Sequence, residues 1–228
     1  MRLVCFDIDG TLLHTNGAGR RAIHRALVDV LGTAGPIDTF RMDGRTDGEI
    51  VLRLAEGAGL PCDDALMRRV LDRYVELLGE ELLKPGHETG VYPGVRELLD
   101  ALEQRDDVII GMVTGNVVEG AKLKLRSAGL DHDRFVVGGY GSDHWVRAEL
   151  PAFAQRRASE RLGRELPGEH VIIIGDTPAD MRCGQGIGAR GIGVGTASYR
   201  PHQLMEAGAY AAFDDLSPTD RVMEAIFA

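Results

Sequence analysis

An apolar run near the start of the chain ends abruptly in acidic residues, and this pattern most constrains the fold. Residues 3 to 6 have the composition of a strand buried on both faces, and Asp7, Asp9, Gly10 and Thr11 come just after it. In extended backbone, residues two apart point to the same side, so Asp7 and Asp9 start on one face and diverge as the chain turns at Gly10. Gly10 allows a ligand to come close, and Thr11 adds a hydroxyl and an amide. A plain Asp-Gly turn, a calcium loop and a catalytic site are all consistent with this segment alone.

The rest of the chain divides into a helical block and a segment in which strands and helices alternate. Residues 17–84 contain apolar residues at helical spacing, and a Pro- and Gly-rich stretch over 84–94 has the composition of a hinge. From residue 95 onward the alternation indicates a parallel sheet covered on both faces, with strands predicted at 108–113, 135–137, 171–174, 191–194 and 210–213. We therefore predict an α/β fold. Residues 1–16 and 85–228 form a Rossmann-like core, and an all-helical insertion of residues 17–84 interrupts it.

Composition excludes several classes of partner. The chain has 228 residues and a formal net charge of −9, which gives no electrostatic basis for binding nucleic acid or an anionic membrane surface. The three cysteines, Cys5, Cys62 and Cys183, are widely spaced and show neither a disulfide nor a zinc pattern. No signal peptide and no apolar run of about 20 residues is present. We expect a cytoplasmic protein, monomeric or homodimeric, without a membrane or nucleic-acid partner.

Polar residues follow three of the predicted strands. Asp7 and Asp9 follow the first, residues 114–116 (Thr-Gly-Asn) end the second, and Asp176 and Asp180 follow the third. Ligands of open parallel sheets bind beyond the carboxyl ends of the strands, so these groups are expected to meet at one edge. Carboxylates ~4 Å apart repel by about 4 kcal/mol per pair at an effective dielectric constant of ~20, so the cluster calls for a cation. Oxygen ligands without clustered His or Cys favour Mg²⁺.

The order and spacing of these residues resemble the motifs of the haloacid dehalogenase superfamily. The motifs that carry the resemblance are Asp7-x-Asp9-Gly10-Thr11, the strand-end Thr114, and Gly175-Asp176 with Asp180, which stand as the first, second and fourth family motifs. The helical block occupies the position of the family's helical cap, so the resemblance covers essentially the whole chain. Within the superfamily, that position and the segment Gly44-Arg45-Thr46-Asp47 are most similar to phosphoglycolate phosphatases.

The resemblance implies a role for each matched residue. Asp7 would attack phosphorus to give an aspartyl-phosphate, and Asp9 would protonate the leaving alcohol and then activate water. Mg²⁺ would be held by Asp7, the backbone carbonyl of Asp9 and Asp176, with Asp180 either a direct ligand or a second-layer partner. Thr114 would act with these catalytic residues by holding a phosphoryl oxygen. The substrate-binding residues expected are Gly10, Thr11, Arg45, Gly115 and Asn116.

The third family motif departs from the pattern. That position is normally a lysine, but the only lysines are Lys84, Lys122 and Lys124, none of which lies in the required region. Arg147, just before a predicted helix, is the best substitute, because a guanidinium is a planar, permanently charged phosphate ligand. The alternative is that Arg147 is a solvated loop charge, as expected for Arg156.

Two further residues have alternative interpretations. Arg45 is either a surface charge or a substrate contact. Asn116 fits a helix cap as well as a group of the site. Thr46 and Glu49 have the spacing of a capping box at the start of a helix.

The residues and the resemblance together predict a Mg²⁺-dependent phosphatase acting on a small phosphorylated metabolite. Three alternatives stay open. A phosphomutase would share every core residue. A 2-haloacid dehalogenase would use Asp7 but would not need Asp9, because a halide leaves without a proton. A non-enzymatic phosphoacceptor domain would carry phosphate on Asp7 without hydrolysing it, and would not need the helical insertion.

Overall fold

A six-stranded parallel sheet lies at the centre of the computed structural model, which describes residues 1–228. The strands in chain order are β1 (Arg2–Phe6), β2 (Leu13–His14), β3 (Gly90–Val91), β4 (Val108–Thr114), β5 (Val137–Tyr140), β6 (Val171–Gly175), β7 (Arg190–Val194) and β8 (Ala211–Phe213). The main sheet has the order β5-β4-β1-β6-β7-β8, and β2 and β3 form a separate antiparallel pair. This topology confirms the predicted α/β class.

Nine α-helices accompany the strands: α1 (Ala18–Leu31), α2 (Asp47–Gly57), α3 (Asp64–Leu82), α4 (Val95–Glu103), α5 (Val118–Ser127), α6 (Leu150–Leu162), α7 (Pro178–Cys183), α8 (Pro201–Glu206) and α9 (Thr219–Phe227). Two of these helices have an N-cap of a residue type that is preferred there. The Thr46 hydroxyl accepts a hydrogen bond from the Glu49 amide (3.1 Å), and the Asp63 carboxylate accepts one from the Leu66 amide (2.8 Å). The Glu49 side chain does not complete a capping box, because it pairs with Arg45.

Successive side chains of β1 point to opposite faces of the sheet, and both faces are covered. Val4 and Phe6 belong to an apolar cluster with α4, α5 and α9, while Leu3 and Cys5 belong to another with α6 and α7. All four side chains are fully buried. Since β1 is paired with β4 on one side and β6 on the other, the position of its carboxyl end is tightly determined.

The three helices α1, α2 and α3 bury an apolar cluster of their own, which includes Ala22, Leu54 and Leu77. Val117, at the start of α5, also packs into this cluster and joins it to the sheet. The chain leaves the sheet through β2 and returns through β3, and these strands pair His14 with Gly90. The separate cluster supports a division into residues 17–84 and the remainder, but that division stays a prediction.

Three local features differ from the sequence-based expectation. The strand expected at 135–137 begins at Val137, because Phe135 follows a short 3₁₀ turn and packs its ring edge-on against Phe6 (centroids 6.2 Å apart). The glycines of β5 are poor strand formers in isolation. A Cβ at Gly139 would lie only 2.0 Å from the Leu150 carbonyl oxygen, so glycine allows α6 to pack closely there. The β2–β3 pair and α8 are too short to produce a periodic pattern.

Candidate active site

The carboxyl ends of the adjacent strands β1, β4 and β6 meet at one edge of the sheet, where three buried acids collect. Asp7 and Asp176 follow β1 and β6 directly, and Asp180 lies in the first turn of α7. Carboxylate oxygens of these three residues all lie within 4.8 Å of one another. Thr114, the last residue of β4, is fully buried at the same edge. The structure therefore brings together the strand-end residues that the sequence singled out.

Gly10 and Thr11 organise Asp176. The Thr11 hydroxyl donates a hydrogen bond to Asp176 Oδ1 (3.0 Å). Gly10 has a left-handed backbone (φ 85°), and a Cβ there would lie 2.3 Å from Asp176 Oδ2, so no other residue fits. Both residues lie beside the acid cluster, and their contact with substrate stays a prediction.

Asp180 differs from Asp176 in how its carboxylate is engaged. Its Oδ2 accepts hydrogen bonds from the Thr177 amide (3.0 Å) and hydroxyl (2.6 Å). The bond from the Thr177 amide, together with the one that the Asp180 amide donates to the Thr177 hydroxyl (3.4 Å), forms a capping box at the start of α7. Its Oδ1 pairs with Arg147. Asp176 Oδ2 has no hydrogen-bond donor, so Asp176 has the oxygen that is freer to bind a ligand.

Arg147 lies in the acid cluster. It begins a short 3₁₀ helix (Arg147–Glu149) ahead of α6 and is only 7% exposed. Its Nη2 lies 3.0 Å from Asp7 Oδ2, in addition to the contact with Asp180. Its Nε is the one buried side-chain nitrogen or oxygen of the chain without a hydrogen-bond partner. The alternative that Arg147 is a solvated loop charge is therefore wrong.

The electrostatics of the cluster suit a bound cation. Burial raises the pKa of Asp7 to about 6, against the opposing effect of Arg147. Burial, with the charges of Asp180 and Asp7, also raises the pKa of Asp176 well above its usual range. One guanidinium thus faces three buried carboxylates. A divalent cation that prefers oxygen ligands fits this set of donors.

Asp9 points away from that cluster and has its own partners. Its Oδ2 accepts hydrogen bonds from Asn116 Nδ2 (2.9 Å) and from Lys124 Nζ (2.5 Å). Asn116 Nδ2 also lies 2.9 Å from the Thr114 hydroxyl. The interpretation of Asn116 as a helix cap is wrong, because α5 has Val117 at its N-cap position and no side-chain cap.

Lys124 was not singled out in the sequence, although it contacts Asp9 directly. Burial opposes the charge of its ammonium group, but Asp9, Tyr74 and Asp47 outweigh that effect and raise the pKa of Lys124. A signal was available in the sequence. Lys124 lies on the face of α5 that carries Leu125, where apolar residues are expected.

Asp47, in the first turn of α2, joins the helical block to the loop before α5. Its amide donates to the Gly115 carbonyl (2.8 Å), and its Oδ2 accepts from the Val117 amide (2.8 Å). Burial raises the pKa of Asp47 to about 6, and the charge of Lys124 opposes this rise. A Cβ at Gly115 would lie 2.2 Å from the Arg45 carbonyl oxygen, so this contact requires glycine.

A cavity of about 380 Å³ lies between the acid cluster and the helical block. Two arginines of the block line it. Arg45 pairs with Glu49 and lies over the Phe40 ring, while Arg20 donates to the carbonyl oxygens of Ile37 and Phe40 and has no acidic partner. Both sides of the cavity carry both signs of charge: Arg147 and Lys124 accompany the acids on the sheet side, and Asp43 and Asp47 accompany the two arginines on the side of the block.

Comparison with known proteins identifies the family. A family model described as haloacid dehalogenase-like hydrolase matches residues 1–188. This chain belongs to that family. It is 29% identical over 219 residues to a phosphoglycolate phosphatase of Rhodospirillum rubrum, covering 95% of this chain and 88% of the relative. It is 30% identical over 195 residues to an N-acetylmuramic acid 6-phosphate phosphatase of Pseudomonas aeruginosa, covering 83% and 80%.

A solved structure extends the similarity to three dimensions. A hydrolase from Pseudomonas syringae superposes with a TM-score of 0.75 at 21% identity, covering 98% of this chain and 99% of the other. At that identity the likeness shows the shared fold. Separately, none of the helices has the length and apolar character needed to cross a membrane.

The raised pKa values give a first prediction about metal binding. A carboxyl whose folded pKa is raised contributes stability that is complete below about pH 4 and is lost as the pH rises through about 6. A divalent cation binds the deprotonated form, so MgCl₂ should raise the melting temperature more at about pH 7.5 than at about pH 5. Differential scanning fluorimetry against NaCl of matched ionic strength measures this difference.

Asp176→Asn is the matched control, since it keeps the shape of the side chain but lowers its affinity for a cation. It should lose most of the Mg²⁺-dependent rise. An equal rise at both pH values in the unmodified protein would contradict a cation site at these acids.

Proposed function

We propose that this chain is a cytoplasmic Mg²⁺-dependent phosphatase, monomeric or homodimeric, that hydrolyses a small phosphomonoester such as 2-phosphoglycolate through an aspartyl-phosphate on Asp7. The observation that carries the proposal is the setting of Asp7. Its carboxylate ends the central strand, contacts Arg147 and opens into the cavity beside two further acids. The similarity to phosphoglycolate and N-acetylmuramic acid 6-phosphate phosphatases supports a phosphomonoester substrate.

In the first chemical step, a carboxylate oxygen of Asp7 forms a bond to phosphorus while the bond from phosphorus to the ester oxygen breaks. Asp9 transfers a proton to the departing oxygen, so that an alcohol leaves. In the second step Asp9 takes a proton from water, which attacks the same phosphorus. This step releases inorganic phosphate and restores the Asp7 carboxylate.

Phosphoryl oxygens have several donors available. Arg147 lines the cavity, and its buried Nε has no hydrogen-bond partner in the protein. A phosphoryl oxygen bound beside it would accept a hydrogen bond from this Nε. The Thr114 hydroxyl and the amide of Gly115 lie at the loop before α5. Positioning the phosphoryl group and stabilising its negative charge in this way are the main contributions that a protein can make to phosphoryl transfer.

Asp7, Asp176 and the backbone carbonyl of Asp9 would hold Mg²⁺, with Asp180 kept in place by Arg147 and Thr177. When bound, the ion supplies positive charge that offsets the acids and the phosphoryl group. The protein's own part is to hold Asp7 and Asp176 at fixed positions at the ends of β1 and β6.

We also propose that the helical block of residues 17–84 is a cap that covers the site and selects the substrate. The amide of Asp47 in the block donates a hydrogen bond to the Gly115 carbonyl in the loop before α5, and the block is joined to the rest of the chain through the paired strands β2 and β3. Because the chain is acidic overall, a second anionic group on the substrate needs local cations. Arg45 and the unpaired Arg20 provide them on the cap side of the cavity.

Asp7→Asn tests the proposed function most directly. An amide has nearly the shape of a carboxylate but is a poor nucleophile, so turnover of 2-phosphoglycolate with Mg²⁺ should fall by at least about 100-fold. Release of inorganic phosphate measures turnover, and circular dichroism checks the fold. A normally folded variant with turnover closer to wild type would refute Asp7 as the nucleophile.

Arg147→Ala tests the proposed replacement of the missing lysine. Loss of one preorganised donor should cost roughly 2 to 4 kcal/mol of transition-state stabilisation, read from kcat/KM. Arg156, on α6 with 59% of its side chain exposed, is the control and should change kcat/KM little when replaced by Ala. Equal losses in the two variants would show that Arg147 has no special role.

Arg45→Ala and Arg20→Ala test recognition of a second anion. Each should raise KM for 2-phosphoglycolate about tenfold, the effect of losing one charge-assisted hydrogen bond, and should hardly change KM for p-nitrophenyl phosphate. Arg53→Ala is the control, since Arg53 pairs with Glu56 on the exposed side of α2 and does not line the cavity. If both substrates respond equally, or neither does, these arginines do not read the substrate.

A further inference from the structure

Lys124 is a buried lysine whose ammonium group is directed at one oxygen of Asp9. It is only 4% exposed, and its Nζ lies 2.5 Å from Asp9 Oδ2 and 2.6 Å from Asn116 Oδ1. By contrast Lys122, on the same helix, is 40% exposed and pairs with Glu119. Burying an ammonium group is costly unless its partners are well placed, so the position of Lys124 calls for a specific reason.

The hydrogen bonds at Asp9 divide its two oxygens. Oδ2 accepts from both Lys124 Nζ and Asn116 Nδ2, whereas Oδ1 accepts from no group of the protein. An oxygen that already accepts two hydrogen bonds has no room for a proton of its own. A protonated Asp9 would therefore carry its proton on Oδ1, the oxygen that is free to face a ligand in the cavity.

The helical block holds the other side of Lys124. Asp47 of α2 is 7% exposed and accepts a hydrogen bond from the Val117 amide at the start of α5, the helix that carries Lys124, and Tyr74 of α3 is 2% exposed. The charge of Asp47 favours the ammonium form of Lys124. A Cβ at Gly19 of α1 would lie 3.6 Å from Lys124 Nζ and 3.7 Å from the Tyr74 hydroxyl oxygen. All three helices of the block therefore enclose a lysine that belongs to the sheet domain.

We infer that Lys124 is a positioning residue, held in place by the helical block that Asp47 joins to α5, and that it fixes the Asp9 carboxylate with Oδ1 directed at the leaving group. Asp9 is then fully oriented for proton transfer only when the block is docked. This inference rests on the proposed function, in which Asp9 exchanges protons with the leaving group and with water. It adds a function for two residues that contact neither phosphate nor metal.

Two aryl esters of similar size separate this role from a structural one. Phenolate is a poorer leaving group than p-nitrophenolate, so phenyl phosphate depends more on proton donation by Asp9. Lys124→Met should lower kcat/KM for phenyl phosphate at least about tenfold more than for p-nitrophenyl phosphate. Lys124→Arg should restore part of that difference, and Lys122→Met, the exposed control, should leave both values unchanged.

The docking part of the inference has its own test. Asp47→Asn leaves Lys124 unchanged but weakens the contact between the helical block and the start of α5. Gly115→Ala places a Cβ against the Arg45 carbonyl and so displaces the block. Both should show the same selective loss on phenyl phosphate. Trp145 is the single tryptophan, and its carbonyl accepts from Thr46, so a change in its fluorescence reports displacement of the block.

Equal losses on the two esters in a folded Lys124→Met variant would overturn the positioning role. Should that variant not fold, Asp47→Asn decides on the same ratio. A fluorescence change in Gly115→Ala with an unchanged ratio would overturn the coupling to docking. Failure of the proposed function is distinct, since the unmodified protein would then hydrolyse neither ester or Asp7→Asn would remain active.

Discussion

The site is governed by the repulsion among three buried carboxylates at the end of a parallel sheet. Adjacent strands β1 and β6 place Asp7 and Asp176 side by side, and α7 adds Asp180 within 4.8 Å. Like charges at such distances repel by about 4 kcal/mol per pair at an effective dielectric constant of ~20. Burial raises the pKa of Asp7 in addition, and Arg147, which contacts Asp7, opposes that rise. The sheet thus holds together charges that would separate in a flexible chain, and this rigidity makes a cation a favourable occupant.

Much of this site is predictable from sequence because the geometry of parallel strands is regular. Strands that end in polar residues bring those residues to one edge whatever their separation in the chain, which is why Asp7, Thr114 and Asp176 were expected together. The resemblance to the family implies Arg147 in place of a lysine, since the chain has no lysine in the region of the third motif. Its contact with Asp7 depends on a short 3₁₀ turn that no periodic pattern announces.

The contacts that the sequence did not predict depend on how the helical block packs against the sheet. In the sequence, Lys124 is one of several charges on an amphipathic helix. It becomes buried because α1 and α3 cover it. Asp47 reads as a first-turn acid that favours a helix N-terminus, yet its carboxylate binds the Val117 amide across the interface. Asn116 has the residue type of a cap, but its side chain turns to Asp9 instead. In each case a tertiary partner overrides a valid local preference.

The two acids that follow the carboxyl end of β1, Asp7 and Asp9, lie in different environments. Asp7 is buried and lies against a guanidinium that also binds Asp180, so its position is tightly determined. Asp9 is partly exposed and has a lysine and an amide on one oxygen only. Carboxyl groups in contrasting environments are suited to different roles, one as nucleophile and the other as proton carrier.

Because the turn at Gly10 separates the two side chains, each can have its own cation, Arg147 for Asp7 and Lys124 for Asp9. Arg147 lies among residues of the sheet, whereas Lys124 is covered by the helical block, so the proposed nucleophile and the proposed proton carrier depend on different parts of the chain.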